Sequence, residues 1–250
     1  MSFLLRVPER KIACAIKTCI IHSALCHDIA VTINTDVSTS DSFKIETILD
    51  SKRHQQVVNF MHDNFYPRNS ERKPNAQGHG VFSLIEEIPE SLNQGVSLLA
   101  IDTNLNNQVA GVAVNNILTR FQPIIDRPSP YIGVNAYRTC LRKLQVESNV
   151  FENKNVKRGM NLAYLGVKER FERRGLAQNL TERSIQLAQH LKLDFIQSIT
   201  FCQKTLNLFE KLQFETVASF KLIDHWISDG IPAFPNAGPD DIVYFVFKAL

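Results

Sequence analysis

From Phe43 to Leu49 apolar and polar residues alternate, and a period of two predicts a half-buried strand. Asp50 or Ser51 then caps a helix in which Val57, Val58, Met61 and Phe65 recur at helical spacing, until Tyr66-Pro67 ends it. Residues 68–80 are polar and carry Pro and Gly, which predicts a loop placed to rim a substrate site. Two apolar runs, Val96 to Ile101 and Gln108 to Asn115, flank the turn sequence DTNLNN and read as a hairpin. Three prolines make residues 123–133 irregular, and Tyr137, Cys140, Leu141, Leu144 and Phe151 then trace a helical stripe. Asn153 to Gly159 reads as a charged turn.

The most informative pattern follows, from Leu162 to Phe214. An apolar run (Leu162 to Val167) passes through a charged loop and RRGLA into a helix with Leu176, Leu180, Leu187 and Leu191 on one face. A second apolar run spans Asp194 to Phe201, and the short helical pattern LFEKLQF closes the segment. A strand (Val217 to Ile223), a loop (Asp224 to Asp241) and a last strand (Ile242 to Lys248) complete the chain. The order is β-α, a hairpin, a helix, β-α-β-α and two closing strands. That predicts an α/β architecture, a mixed sheet with one parallel crossover and helices on both faces.

Composition changes this picture little. The 250 residues are 44% hydrophobic and 21% charged, an ordinary globular balance. A net charge of +3 gives no reason to expect a nucleic-acid partner. Five cysteines without CxxC spacing suggest reduced cytosolic thiols, neither a disulfide framework nor a metal site. Ile12 to Val31 is fairly apolar, but Lys17, His22, His27 and Asp28 interrupt it, so no membrane span is expected. It also lacks the pattern of a signal peptide, while Arg6, Arg10, Lys11 and Lys17 leave an organelle-targeting reading open. Residues 1–41 are therefore expected to be a poorly ordered extension, 42–250 one domain, and the protein cytoplasmic.

The candidate chemistry lies at the turn. Gly175 stands where the loop becomes a helix, and a residue without Cβ there lets the backbone approach a ligand. Ala177 is small for the same reason. First-turn N–H groups lack internal partners and carry partial positive charge, worth about 0.3–1 kcal/mol to an anion. Lys168, Arg170, Arg173 and Arg174 surround the turn with positive charge suited to phosphates. Strand, basic glycine turn and helix together suggest a nucleotide-bearing ligand.

This segment resembles the acyl-CoA-binding core of the GCN5-related N-acetyltransferases (GNAT), whose pyrophosphate loop reads Gln/Arg-x-x-Gly-x-Gly/Ala. Here the window is Glu172-Arg173-Arg174-Gly175-Leu176-Ala177: both small positions match, and Glu172 is acidic where the family has Gln or Arg. Leu208 to Phe214 is similar to the family's LYEKLGF helix. NFYPR, the SLLAID…NQVAGVAVN hairpin and DHWISDGIPAFPNAGPDD look like arthropod arylalkylamine N-acetyltransferases. The resemblance implies a mostly antiparallel sheet with a splayed parallel pair, and acetyl-CoA as cosubstrate with no metal. It implies that backbone groups of Leu165 and Val167 pair with the pantetheine arm, while Arg173, Arg174, Gly175, Leu176 and Ala177 hold the pyrophosphate. It further implies acetylation of an amine such as dopamine or serotonin.

Transfer to an amine needs a base, oxyanion donors and an acid for the thiolate. Relatives place a tyrosine acid where this chain has Phe209, which has no proton to give. The resemblance puts a hydroxyl at Thr205, which also suits a helix cap, and a glutamate position at Asn69, with Glu71 two residues on. Thr205 and Glu71 are therefore the candidate catalytic pair. His62 and His79 flank the expected amine site, and Cys202 reads as a small buried residue. Two other readings stay open: a GNAT-fold protein that binds acyl-CoA without turnover, and a transferase for polyamines or longer acyl-CoAs.

Overall fold

Residues 42–65, 88–120, 132–228, 230–235 and 237–250 are described by the computed structural model of the chain. Outside them lie the expected N-terminal extension, the Tyr66-Pro67 helix stop, the 68–80 loop and most of the proline-bearing stretch. Phe43–Thr47 forms β1. Asp50 caps α1 (Ser51–Phe60) by accepting the Arg53 N–H at 2.8 Å, and the helical stripe runs on through a π-turn, Met61–Phe65. Next come α2 (Ile88–Leu92), β2 (Leu98–Asp102), β3 (Gln108–Thr119), α3 (Ile132–Ser148) and α4 (Val150–Asn153). After β4 (Arg158–Val167) a 3-10 turn (Glu169–Phe171) leads to α5 (Leu176–His190). The chain ends with β5 (Phe195–Thr200), α6 (Gln203–Lys211), β6 (Glu215–Lys221), a small hairpin β7/β8 (Trp226–Ser228, Ile231–Pro232) and β9 (Ile242–Ala249).

Seven strands form one sheet in the order β1-β2-β3-β4-β5-β9-β6, antiparallel at every contact except β4–β5. The single parallel crossover is made through α5, as the β-α-β pattern predicts. Three elements depart from expectation. The supposed turn up to Gly159 is already strand, because Arg158 and Gly159 pair with Thr119 and Leu118. The short helix α2 carries too few apolar positions to show a period. The loop after β6 contains the small hairpin.

Side-chain alternation sorts the core onto two faces. On one, Leu176, Leu180 and Leu187 of α5 and Leu206 and Phe209 of α6 pack on Leu98, Ala113, Met160 and Leu162. On the other, α1 and α2 cover Leu99, Val112 and Val114, while α3 covers Phe195, Phe245 and Phe247 further along. Asn115 fastens α5 to the sheet: its Nδ2 donates to Val96 O at 2.9 Å and to Ser184 Oγ at 3.0 Å. Among the described residues no helix is long and apolar enough to cross a membrane.

One irregularity positions the site. Val114 faces Tyr164 but Asn115 faces Leu162, so Ala163 is an extra residue in β4, a β-bulge. Met160 and Leu162 before it, and Leu165 and Val167 after it, all join the α5-side core. Without the bulge, alternation would send Leu165 and Val167 to the opposite face. Tyr164 instead joins the cluster under α1.

Candidate functional site

β4 and β5 run side by side for four rungs, from Gly159/Phe195 to Leu162/Ser198, and then part. At the last rung the Ser198 hydroxyl donates to the Leu162 carbonyl at 2.8 Å. β5 goes on to pair with β9 as far as Thr200, and β4 goes on to pair with β3 as far as Val167. Between the diverging ends lies a gap, and the β5-facing edge of Ala163 to Val167 has no strand beside it among the described residues. Leu165 and Val167 are half-buried along that edge. An extended arm of amides can pair there as a further strand does.

At the paired end, Asp194 accepts the Lys157 N–H at 2.7 Å and the Arg158 N–H at 3.0 Å. Those two backbone bonds, aided by the positive charges of the same residues, hold its carboxyl below its ordinary value. Gly159 lies under the Phe195 ring, where a Cβ would come within 2.3 Å of Phe195 Cζ. That ring is fixed in turn, stacked on Phe247 at 5.3 Å and edge-on to Phe151 at 5.5 Å.

At the open end the chain turns into α5. The Lys168 N–H donates to Ala110 O at 2.8 Å, and buried Phe171 packs edge-on against Phe43 at 5.4 Å. Arg173 (φ 61°) and Gly175 (φ 76°) both take left-handed backbone, and Gly175 O accepts the first helical bond from the Asn179 N–H at 3.0 Å. A Cβ on Gly175 meets nothing within 4 Å, so its positive φ, not crowding by protein, selects glycine. The space above the helix start is left open. Leu176 is buried in the core and Ala177 half-buried, so Leu176 offers the turn only its backbone.

Two of the four basic residues are held rather than mobile. The Arg174 guanidinium lies 4.5 Å from the Phe43 ring centre and donates to Ser42 Oγ at 2.9 Å. Arg170 lies 4.6 Å from the Phe171 ring centre and donates to Gln108. Aromatic faces attract guanidinium groups, and no charge pattern in the sequence announces that choice. Arg173 is exposed beside the open turn.

Thr205 is the third residue of α6 and half-buried. Cys202 takes the cap position, its N–H bonded to Thr200 Oγ1 at 3.1 Å, so the cap reading of Thr205 does not hold. Phe209 is a core residue, 5.0 Å from Phe214. Glu71, Asn69 and His79 lie outside the described residues. His62 is exposed, with its Nδ1 2.7 Å from Asp63 Oδ1. On the α1 side the gap is edged by aromatic rings: Phe65 meets Tyr164 edge-on at 5.8 Å, and a Cβ on Gly166 would lie 3.0 Å from Phe60 and 3.2 Å from Phe65. Tyr164 was not among the expected site residues, because a bulge leaves no mark in an apolar run.

In sequence the chain matches no protein-family model and no curated protein. Solved structures match it closely in fold. Arylalkylamine N-acetyltransferase 2 of Aedes aegypti superimposes with a TM-score of 0.71 at 22% identity, over 84% of this chain and 99% of that one. Mosquito arylalkylamine N-acetyltransferase-like 5b gives 0.74 at 16%, over 84% and 100%. The polyamine N-acetyltransferase of Drosophila melanogaster gives 0.69 at 15%, over 83% and 100%. The chain therefore has the GNAT fold, with the mixed sheet and the one splayed parallel pair that its sequence led us to expect.

Proposed function

We propose that this protein is an acyl-CoA-dependent N-acyltransferase that acetylates an arylalkylamine. The observation that carries the reading is the gap between β4 and β5, opening beside the free N-terminus of α5 and the empty space over Gly175. A pyrophosphate at that helix start gains the aligned N–H groups and Arg173, and the β4 edge can receive the amides of the pantetheine arm. The thioester then lies near the Leu162/Ser198 rung. The amine attacks the thioester carbon, the new C–N bond forms as the C–S bond breaks, and the proton lost by nitrogen ends on the departing thiolate. Thr205, on the helix that follows β5, is the hydroxyl donor assigned to that thiolate, and Glu71 is assigned as base.

Support for an aromatic acceptor comes from Phe60, Phe65 and Tyr164 at the gap and from the fold shared with arylalkylamine N-acetyltransferases. The Drosophila neighbour, which forms N-acetylagmatine, favours a polyamine acceptor as the second reading. A form that binds acyl-CoA without turnover is favoured only by the burial of Phe209 where relatives place an acid. One experiment separates all three: thiol release from acetyl-CoA, with longer thioesters in parallel, across aromatic amines and polyamines. Turnover with aromatic amines is expected. Acetyl-CoA binding without thiol release from any amine sinks the enzymatic reading.

A further inference from the structure

Three carboxamides lie in one row across the sheet, and the acyl-transfer reading does not use them. Asn116 of β3 faces Asn161 of β4, and Asn161 faces Gln197 of β5. Asn161 Nδ2 donates to Asn116 Oδ1 at 3.0 Å, so these two side chains share a face. It is the face of Gly159 and Phe195, opposite α5, since Met160, Leu162 and Ile196 alternate to the α5 side. Asparagine is disfavoured in strands, and here a rung of amides sits between an apolar rung with Tyr164 above and one with Phe195 below. Gln197 is only 3% exposed and the two asparagines are half-buried. Among the described residues, Asn161 Oδ1, Asn116 Nδ2 and the Gln197 amide have no hydrogen-bond partner beyond the Asn161–Asn116 bond. One buried and two half-buried amides with unspent capacity call for a polar guest.

The row lies one rung, about 3.3 Å, from Leu162/Ser198, where the strands part. The α5 face of the gap is filled by core, and the amides lie on the opposite face, between the cluster under α1 that Tyr164 joins and the cluster under α3 that holds Phe195. We propose that Asn161 and Gln197, backed by Asn116, seat the acceptor nitrogen by accepting its N–H bonds through Asn161 Oδ1 and Gln197 Oε1. This rests on the acyltransferase reading above. The choice of amide over acid has a chemical reason. A carboxylate at this rung would stabilise the ammonium form and remove the lone pair needed for attack. An uncharged carboxamide orients the nitrogen without holding a proton on it.

The test is steady-state thiol release from acetyl-CoA with aromatic amines between about pH 6 and 10, for wild type, Asn161→Leu, Asn161→Asp and Asn116→Asp. Acetyl-CoA binding by calorimetry checks that each variant is folded. Asn161→Leu is expected to raise the amine KM roughly tenfold, the scale of one lost hydrogen bond, with the acetyl-CoA KM unchanged. Asn161→Asp is expected to move the rising limb of kcat at saturating amine to higher pH by about one unit. Asn116→Asp, one strand further away, should move it less. Such a shift is not produced by a merely structural loss. Wild-type turnover with all variants keeping the wild-type amine KM and pH profile overturns the seat alone. No thiol release from the wild type with any amine overturns the acyltransferase reading, and the seat with it.

Discussion

The two ends of the β4–β5 pair are built on opposite terms, and two glycines show it. At the closed end Gly159 is glycine because the space beside it is full: the Phe195 ring occupies the place of a Cβ. At the open end Gly175 is glycine because its backbone is left-handed, and the space beside it is empty. The closed end spends its residues on anchoring, with Asp194 bonded to two N–H groups and Phe195 fixed between two other rings. At the open end no strand of the described residues pairs with the β5-facing edge of Ala163 to Val167. A residue of one type therefore answers to packing in one place and to backbone conformation in the other, and only its surroundings say which.

The sharpest way to break this comparison is to exchange the outcomes. Gly175→Glu should weaken acetyl-CoA binding by roughly a hundredfold or more, since it puts bulk and negative charge over the helix start. Thermal stability should fall as well, by roughly 1–2 kcal/mol, the cost of left-handed backbone to a residue other than glycine, so affinity is the readout that separates the two ends. Gly159→Ala should lower stability alone. Overpacking against a fixed ring costs about 1–3 kcal/mol, read by urea unfolding, and the calorimetric affinity of the folded fraction for acetyl-CoA should stay unchanged. A loss of affinity in Gly159→Ala equal to that in Gly175→Glu would erase the distinction between the two ends.

Smaller effects sharpen it through pH. The Asp194 carboxyl is held below its ordinary value, so its stabilisation is complete above the unfolded value and is lost as pH falls through the folded one. Asp194→Asn should therefore lower Tm at neutral pH, and the difference from wild type should close below about pH 4. A difference that persists at low pH would mean the anchor acts through shape rather than charge. His225 follows β6 and is buried between Phe220 and Phe234, with no partner for Nε2 among the described residues. Burial, with the charge of Lys143, pushes its imidazole below its ordinary value. The fold then loses stability as pH falls from about 6.5 towards the folded value. His225→Phe should flatten Tm over that range while leaving acetyl-CoA affinity untouched.

Much of the frame was legible along the chain because its signals are local. Period two marked β1; two apolar runs about DTNLNN marked β2 and β3; period 3.6 marked α1, α3 and α5; Asp50 and Gly175 stood where a cap and a turn belong. What escaped depends on register or on packing between distant segments. The Ala163 bulge, which turns Tyr164 to the α1 face, looks like any other residue of an apolar run. The stacking of Arg174 on Phe43 joins residues far apart in the chain. The amide row needs three strands to be aligned before it exists at all. Glu71 was named from resemblance, and nothing described bears on it.

The Ser198 hydroxyl on the Leu162 carbonyl has one more consequence. Where two paired strands diverge, the last carbonyl loses the neighbour that capped it, and that loss normally pulls the strands back together. Here a side chain supplies the missing donor, so the fork is at rest when open. On the acyltransferase reading proposed above, a pantetheine arm would not have to pry the sheet apart, and the free energy of its contacts would go into affinity instead of deformation. The divergence of the two strands is thus part of the fold itself.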